Sequence, residues 1–134
     1  MAIAFIRDFD AVYGQVDQVS PLIRRVVADN PGPFTFKGTG AYIIGHGTVA
    51  VIDPGPDLPA HLAAILAATA GETISDICVT HHHADHSPLA RALKAATGAT
   101  IWGCPAQDEA QATAPVRVEA DHDLTFAPDR LVCD

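Results

Sequence analysis

The stretch Thr80-His81-His82-His83-Ala84-Asp85-His86 constrains this chain more than any other. Four imidazoles and a carboxylate fall within six consecutive residues, directly after the apolar, β-branched run 74–79. Histidine is the commonest protein ligand for metals such as zinc, and carboxylates are its usual companions. Ser87-Pro88 follows, a pair that reads as a helix N-cap with proline at the first helical position. Leu89, Ala92, Leu93 and Ala96 then recur at helical spacing, with Arg91 and Lys94 on the other face. The cluster is therefore expected on a strand-to-helix loop, where the backbone can turn and side chains can converge.

Three arrangements compete for that loop. In an extended segment alternate side chains share a face, which groups His81, His83 and Asp85, sends His82 the other way, and lets His86 swing back at the turn. A helical site would pair His82 with His86 as in H-E-x-x-H. That motif needs glutamate where His83 stands, and helix through a segment flanked by Val79-Thr80 and Pro88. The residues do not support it. The remaining arrangement is a solvated histidine-rich loop that takes up metal adventitiously. The strand and helix signals on either side favour the first.

H-x-H-x-D-H in this setting resembles the signature of the metallo-β-lactamase superfamily. Asn30-Pro31-Gly32-Pro33-Phe34-Thr35, Gly38-Thr39 and Tyr42-Ile43-Ile44 are similar to the opening of its lactamase-like hydrolases, a subgroup that includes single-stranded RNA endonucleases. Val51-Ile52-Asp53-Pro54-Gly55 is similar to the family's strand that ends in an aspartate. The resemblance runs from about Val26 to the end of the chain.

The resemblance implies an α/β fold: the N-terminal half of an αββα sandwich, a mixed sheet with helices on one face. It implies that His81 and His83 hold a first metal, and that Asp85 and His86 hold a second. Asp85 would also be the catalytic carboxylate, and Asp53 would orient the ligands from behind. Zinc, up to two ions per complete domain, suits such nitrogen and oxygen ligands, as do iron and manganese. The implied reaction is hydrolysis of an ester, thioester or phosphodiester by a metal-activated water. The family's third histidine, bridging aspartate and last histidine lie beyond the matching positions. Residues 1–134 are thus expected to be one apparently truncated domain that holds metal weakly or not at all. A small ester or thioester, or single-stranded nucleic acid, would be the substrate of the complete enzyme. The alternative is a non-catalytic half-domain that binds a metal or a partner. Fold alone does not choose among these.

Composition narrows the choice slightly. With 49% hydrophobic and 18% charged residues the chain is globular. Its net charge of −8 argues mildly against a polyanionic partner. No basic region followed by an apolar core and a cleavage site opens the sequence, and no run of about 18 apolar residues could span a membrane. Cys78, Cys104 and Cys133 lack C-x-x-C spacing and suggest neither a disulfide framework nor a thiolate site. Cys78 reads as a small buried hydrophobe, and a cytoplasmic location is the default.

Along the chain, strands are expected at 22–28, 41–44, 48–52, 74–79, 100–102, 116–119, 124–126 and 131–133, and helices at 59–70 and 88–97. The first twenty residues offer only an extra strand or arm, and 104–113 reads as a loop with one helical turn at most. Gly45-His46-Gly47 reads as a hairpin loop with His46 exposed at its tip. His61 reads as a solvated helix residue, and His122 as part of a polar turn. Asp53 and the histidine cluster then sit at the carboxyl ends of adjacent strands, where ligands collect in α/β sheets. Strands apolar enough to be covered on both faces, with helices for only one, predict a homodimer through the open face.

Overall fold

The structure is a computed structural model that describes residues 8–104 and 122–132. Its strands are β1 (Val16–Ser20), β2 (Ile23–Val27), β3 (Gly40–Ile44), β4 (Thr48–Ile52), β5 (Thr73–Val79), β6 (Thr100–Gly103) and β7 (Arg130–Leu131). Helix α1 (Pro59–Ala68) joins β4 to β5, and α2 (Leu89–Thr97) joins β5 to β6. All the strands lie side by side in chain order. The pairs from β1 through β4 are antiparallel, and those from β4 through β7 are parallel. This is the mixed sheet expected of the resemblance.

The change from antiparallel to parallel follows from the connections. Three residues suffice for the hairpin between β3 and β4, where Gly45 and Gly47 adopt positive φ. After β4, α1 and α2 carry the chain back to the starting edge before β5 and β6, which allows only parallel pairing there. Alternation along the strands then sorts the side chains. Val26, Ala41, Ile43, Val49, Val51, Ile77 and Ile101 face the helices and are almost fully buried against Ile65, Leu89, Ala90 and Leu93. Each large aliphatic side chain buried in this way contributes roughly 1.5–3 kcal/mol.

Register places a second row on the opposite face: Arg25, Tyr42, Ile52, Cys78 and Trp102 in neighbouring strands. Tyr42 is 37% exposed, and the others in this row are half-buried. Cys78 is therefore a half-buried residue of the open face. Burial and the charges of Asp76 and Asp53 push its thiol up from the ordinary value.

Several boundaries differ from the sequence reading. Helix α1 ends two residues early: Thr69 leaves helical dihedrals at φ −111° and ψ 19°, and its hydroxyl donates back to the Ile65 carbonyl at 2.9 Å. Residues 124–126 form a turn, with Thr125 bonded to the Asp123 carboxylate through both its amide and its hydroxyl. The last described strand is Arg130–Leu131, placed beside β6 by Asp129, which accepts the Ile101 amide at 2.8 Å and pairs with Lys94. The expected strand at 116–119 and most of the loop at 104–113 lie outside the described residues. Residues 16–20 do form the extra strand.

His46 is exposed as expected, although its Nε2 donates to the Pro21 carbonyl at 2.7 Å. His61 is not solvated: it is 4% exposed, packed under the turn that follows β4. Among the described residues no helix is long and apolar enough to cross a membrane.

Candidate metal centre

The site begins at the end of β4. Asp53 has φ +47°, a left-handed conformation that a non-glycine residue adopts at some cost and that aspartate tolerates better than most. Its amide still donates to the Cys78 carbonyl at 2.9 Å, so the backbone leaves the sheet only after the residue itself. The carboxylate meets Thr80 at the end of β5. Oδ1 accepts the Thr80 amide at 2.8 Å and Oδ2 accepts the Thr80 hydroxyl at 2.7 Å.

Because that hydroxyl already donates to Asp53, it can only accept from the His81 ring, whose Nδ1 lies 2.9 Å away. Nδ1 of His81 therefore carries the proton, and the lone pair is left on Nε2. A relay of this kind fixes both ring orientation and tautomer in metal-binding histidines.

The loop then folds back on itself. The amides of His86 and Ser87 both donate to the His83 carbonyl, at 2.9 and 3.1 Å, so residues 83–86 form a turn and not a continued strand. That turn returns His86 to Asp53. Its Nδ1 lies 3.1 Å from Asp53 Oδ2 and its Nε2 lies 3.3 Å from Asp85 Oδ2. The Nδ1 approach is an ion-pair distance whose direction falls short of a well-formed hydrogen bond.

Gly55 locks the turn from below. Its amide donates to the His86 carbonyl at 2.9 Å and its carbonyl accepts the Leu89 amide at 3.0 Å. At φ +94°, with His61 Nε2 3.4 Å from where a Cβ would stand, this position calls for glycine.

His81, His83, Asp85 and His86 lie side by side in this loop. The ring of His81 lies 4.4 Å from that of His83 and 4.2 Å from that of His86. One ligand atom each from His81, Asp85 and His86 falls within a group 4.8 Å across. That trio draws on both expected pairs, His81 with His83 and Asp85 with His86. His83 stands beside the trio, edge-on to His81. His82 faces away, as expected, and its ring lies 5.0 Å from that of His122.

The electrostatics suit a cation. Burial would raise the Asp53 carboxyl, but His86 and the two Thr80 bonds outweigh it and hold the group below its ordinary range. Asp53 in turn raises His86 against the effect of burial. Burial, then the neighbouring charges of His86 and His83, lower His81. Oδ1 of Asp85 is buried without a hydrogen-bond donor among the described residues. A carboxylate oxygen in that state is costly unless a positive charge meets it. The residues therefore fit a divalent metal held by nitrogen and oxygen.

Four contributors escaped the sequence reading. Thr80 was legible only as the end of a strand. Ser87 does not cap α2, which begins at Leu89 after Pro88; its hydroxyl donates instead to Asp123 at 2.9 Å. Asp123 is 8% exposed. Burial would raise its carboxyl, but bonds from Thr125 and Ser87 and the charge of Arg91 hold it low. His122, read as part of a polar turn, forms an isolated β-bridge with His83.

Known proteins resemble this chain over much of its length. The family model of the metallo-beta-lactamase superfamily matches residues 35–132. An atrochrysone carboxyl ACP thioesterase, nsrC of Aspergillus novofumigatus, is 41% identical over 75 residues, covering 54% of this chain and 23% of that protein. A lactamase-like protein of Pestalotiopsis microspora is 35% identical over 101 residues, covering 70% and 32%. A beta-lactamase-like protein 2 homolog of Caenorhabditis elegans is 33% identical over 75 residues, covering 53% and 25%. Among solved structures, a beta-lactamase domain protein from Burkholderia ambifaria superimposes with a TM-score of 0.57 at 21% identity, over 72% of this chain and 32% of that one. The chain thus spans about a quarter to a third of the length of these relatives.

Proposed function

The chain belongs to the metallo-β-lactamase superfamily, and from that premise we propose that it carries the metal-binding loop of a hydrolase that cleaves esters or thioesters. The observation that supports this best is the convergence of His81, Asp85 and His86, backed by the Asp53–Thr80 relay. His81 offers Nε2, with its proton kept on Nδ1 by Thr80. Asp85 offers a carboxylate with one oxygen uncommitted. His86 is held between the two aspartates, and His83 completes the set beside His81. Zinc suits these donors, one ion or two, and iron and manganese suit them as well. When bound, the metal makes a water nucleophilic near neutral pH and stabilises developing negative charge.

The protein's own part is to orient the ligands, to keep the His81 proton on Nδ1, and to hold the Asp85 carboxylate beside His86, where it could take a proton from a water. A thioester is favoured among the substrate classes because a relative with 41% identity is named a thioesterase. Nucleic acid is disfavoured by the net charge of −8. The activity is that of the whole protein. The described residues bring two ligands to each of two metals, or three to one, and a set of that size should hold metal loosely. Two copies associating through the open sheet face complete the reading, as the row Tyr42, Ile52, Cys78 and Trp102 has only partial cover.

The second reading is a non-catalytic metal- or partner-binding module built on the same convergence of His81, Asp85 and His86. Elemental analysis after dialysis, coupled to an acyl-thioester assay of the whole protein, separates the two. Zinc-dependent thioester cleavage lost in Asp85→Ala is the expected result. A whole protein that binds zinc yet cleaves no ester or thioester favours the module.

A further inference from the structure

The loop that bears the ligands, residues 80–88, belongs to no helix or strand. A segment of that kind holds its geometry only where something outside it supplies hydrogen bonds. Asp53 and Gly55 do so on the side of β4. On the other side stands the turn at 122–126, which no expected role accounts for.

That turn grips the loop at three levels. The Asp123 amide donates to the His82 carbonyl at 2.6 Å. His122 bridges to His83 through the backbone, with its ring 4.8 Å from the His83 ring. The Asp123 carboxylate reaches past the ligands to the start of α2, where Oδ2 accepts the Ser87 hydroxyl at 2.9 Å and Arg91 at 3.1 Å. Asp85 and His86 lie between the gripped positions 82–83 and 87. Ser87 is fully buried, its amide donates to the His83 carbonyl at 3.1 Å and its hydroxyl donates to Asp123, so this residue links the turn at His83 to the clamp. The turn itself is anchored. Thr125 donates twice to Asp123 Oδ1, and Phe126, 6% exposed, packs on the bare backbone of Gly103.

We propose that Asp123 is a positioning residue for the metal centre, clamping the histidine loop between the His82 carbonyl and Ser87 so that His83, Asp85 and His86 are preset before a cation arrives. The proposal rests on the reading of the loop as a metal site, and its test is chosen to separate the two.

The test compares the 134-residue chain with Asp123→Ala, Asp123→Asn, Ser87→Ala and Asp129→Ala. Asp129 ties the same C-terminal segment to α2 and β6 without touching the loop, so it controls for loss of anchoring alone. The first readout is the set of imidazole nitrogen resonances in metal-free protein. The second is cobalt(II) affinity, followed by absorption. Asp123→Ala is expected to shift or broaden the His81, His83 and His86 signals and to weaken cobalt binding by about tenfold, the lower end of the loss seen when support around metal ligands is removed. Asp123→Asn keeps one acceptor and should restore most of both. Asp129→Ala should lower the melting temperature and leave the imidazole pattern alone.

Wild-type imidazole signals in Asp123→Ala would overturn the proposal, and so would an equal disturbance in Asp129→Ala. If Asp123→Ala does not fold, Ser87→Ala decides by the same signals: shifts in His83 and His86 support the clamp, and an unchanged pattern refutes it. If the wild-type chain binds no cobalt, the metal-site reading fails, while the imidazole comparison still decides whether Asp123 sets the loop.

Discussion

Asp53 Oδ2 and His86 Nδ1 lie 3.1 Å apart, joining the end of β4 to the last histidine of the loop. The same carboxylate accepts both donors of Thr80, so one side chain fixes the entry to the loop and its return. Asp53→Ala should leave the Thr80 amide unsatisfied and cost about 1–3 kcal/mol of stability. It should also weaken zinc binding by about 10- to 100-fold, as removal of an outer partner does elsewhere. Chemical denaturation and a competition titration with a chromogenic chelator measure the two effects. Unchanged zinc affinity would remove Asp53 from the site.

The ligand assignment divides the histidines sharply. His81→Ala or His86→Ala should weaken zinc binding by at least about tenfold, whereas His82→Ala should leave it unaltered, because the His82 ring packs against His122 and away from the trio. Isothermal titration of the purified variants is sufficient. A larger loss in His82→Ala than in His81→Ala would invert the assignment.

Arg24 and Glu72 clasp the far end of the sheet. Arg24 donates to Glu72 at 2.7 Å and also to the Ala68 and Gly45 carbonyls, while Glu72 accepts the Gly47 amide at 2.9 Å. The Arg24 and Gly47 bonds hold the Glu72 carboxyl below its ordinary value. A depressed folded-state value means that the stabilisation is present above the unfolded value and lost as pH falls through the folded one. Wild-type stability should therefore drop on acidification from about pH 5 downward, and Glu72→Gln should start less stable at neutral pH and drop less over the same range. Parallel acid titrations, followed by circular dichroism, would count against the clasp.

Gly103 is a packing test for the turn that carries Asp123. A Cβ at this position would stand 2.8 Å from Phe126 Cζ, inside van der Waals contact. Gly103→Ala should cost about 1–3 kcal/mol, as overpacking in a closed site does. Thermal unfolding reads this directly, and a neutral result would mean that Phe126 is free to move aside.

The open sheet face predicts association. Sedimentation across a dilution series should show a dimer that Tyr42→Glu weakens, since Tyr42 is the most exposed member of the row on that face. A compact monomer that binds no hydrophobic dye would show that the face is already closed.

Residues 74–97 show how far the sequence alone reaches. A β-branched run, then histidines and an aspartate, then a helical repeat specified strand, loop and helix, because periodicity and local propensity are properties of neighbouring residues. The same holds for the hairpin at Gly45-His46-Gly47 and for Asp53 at the end of β4. Contacts between distant residues were another matter. That Thr80 relays from Asp53 to His81, that His61 is buried, and that Ser87 spends its hydroxyl on Asp123 depend on which segments the sheet brings together. So does the grouping of His81 with Asp85 and His86: alternation predicts which side chains share a face while a strand continues, and here the chain turns at His83. Local residue types determined which groups could bind a metal, and only the packing of β4, α2 and the turn at 122–126 around the loop decided which of them meet.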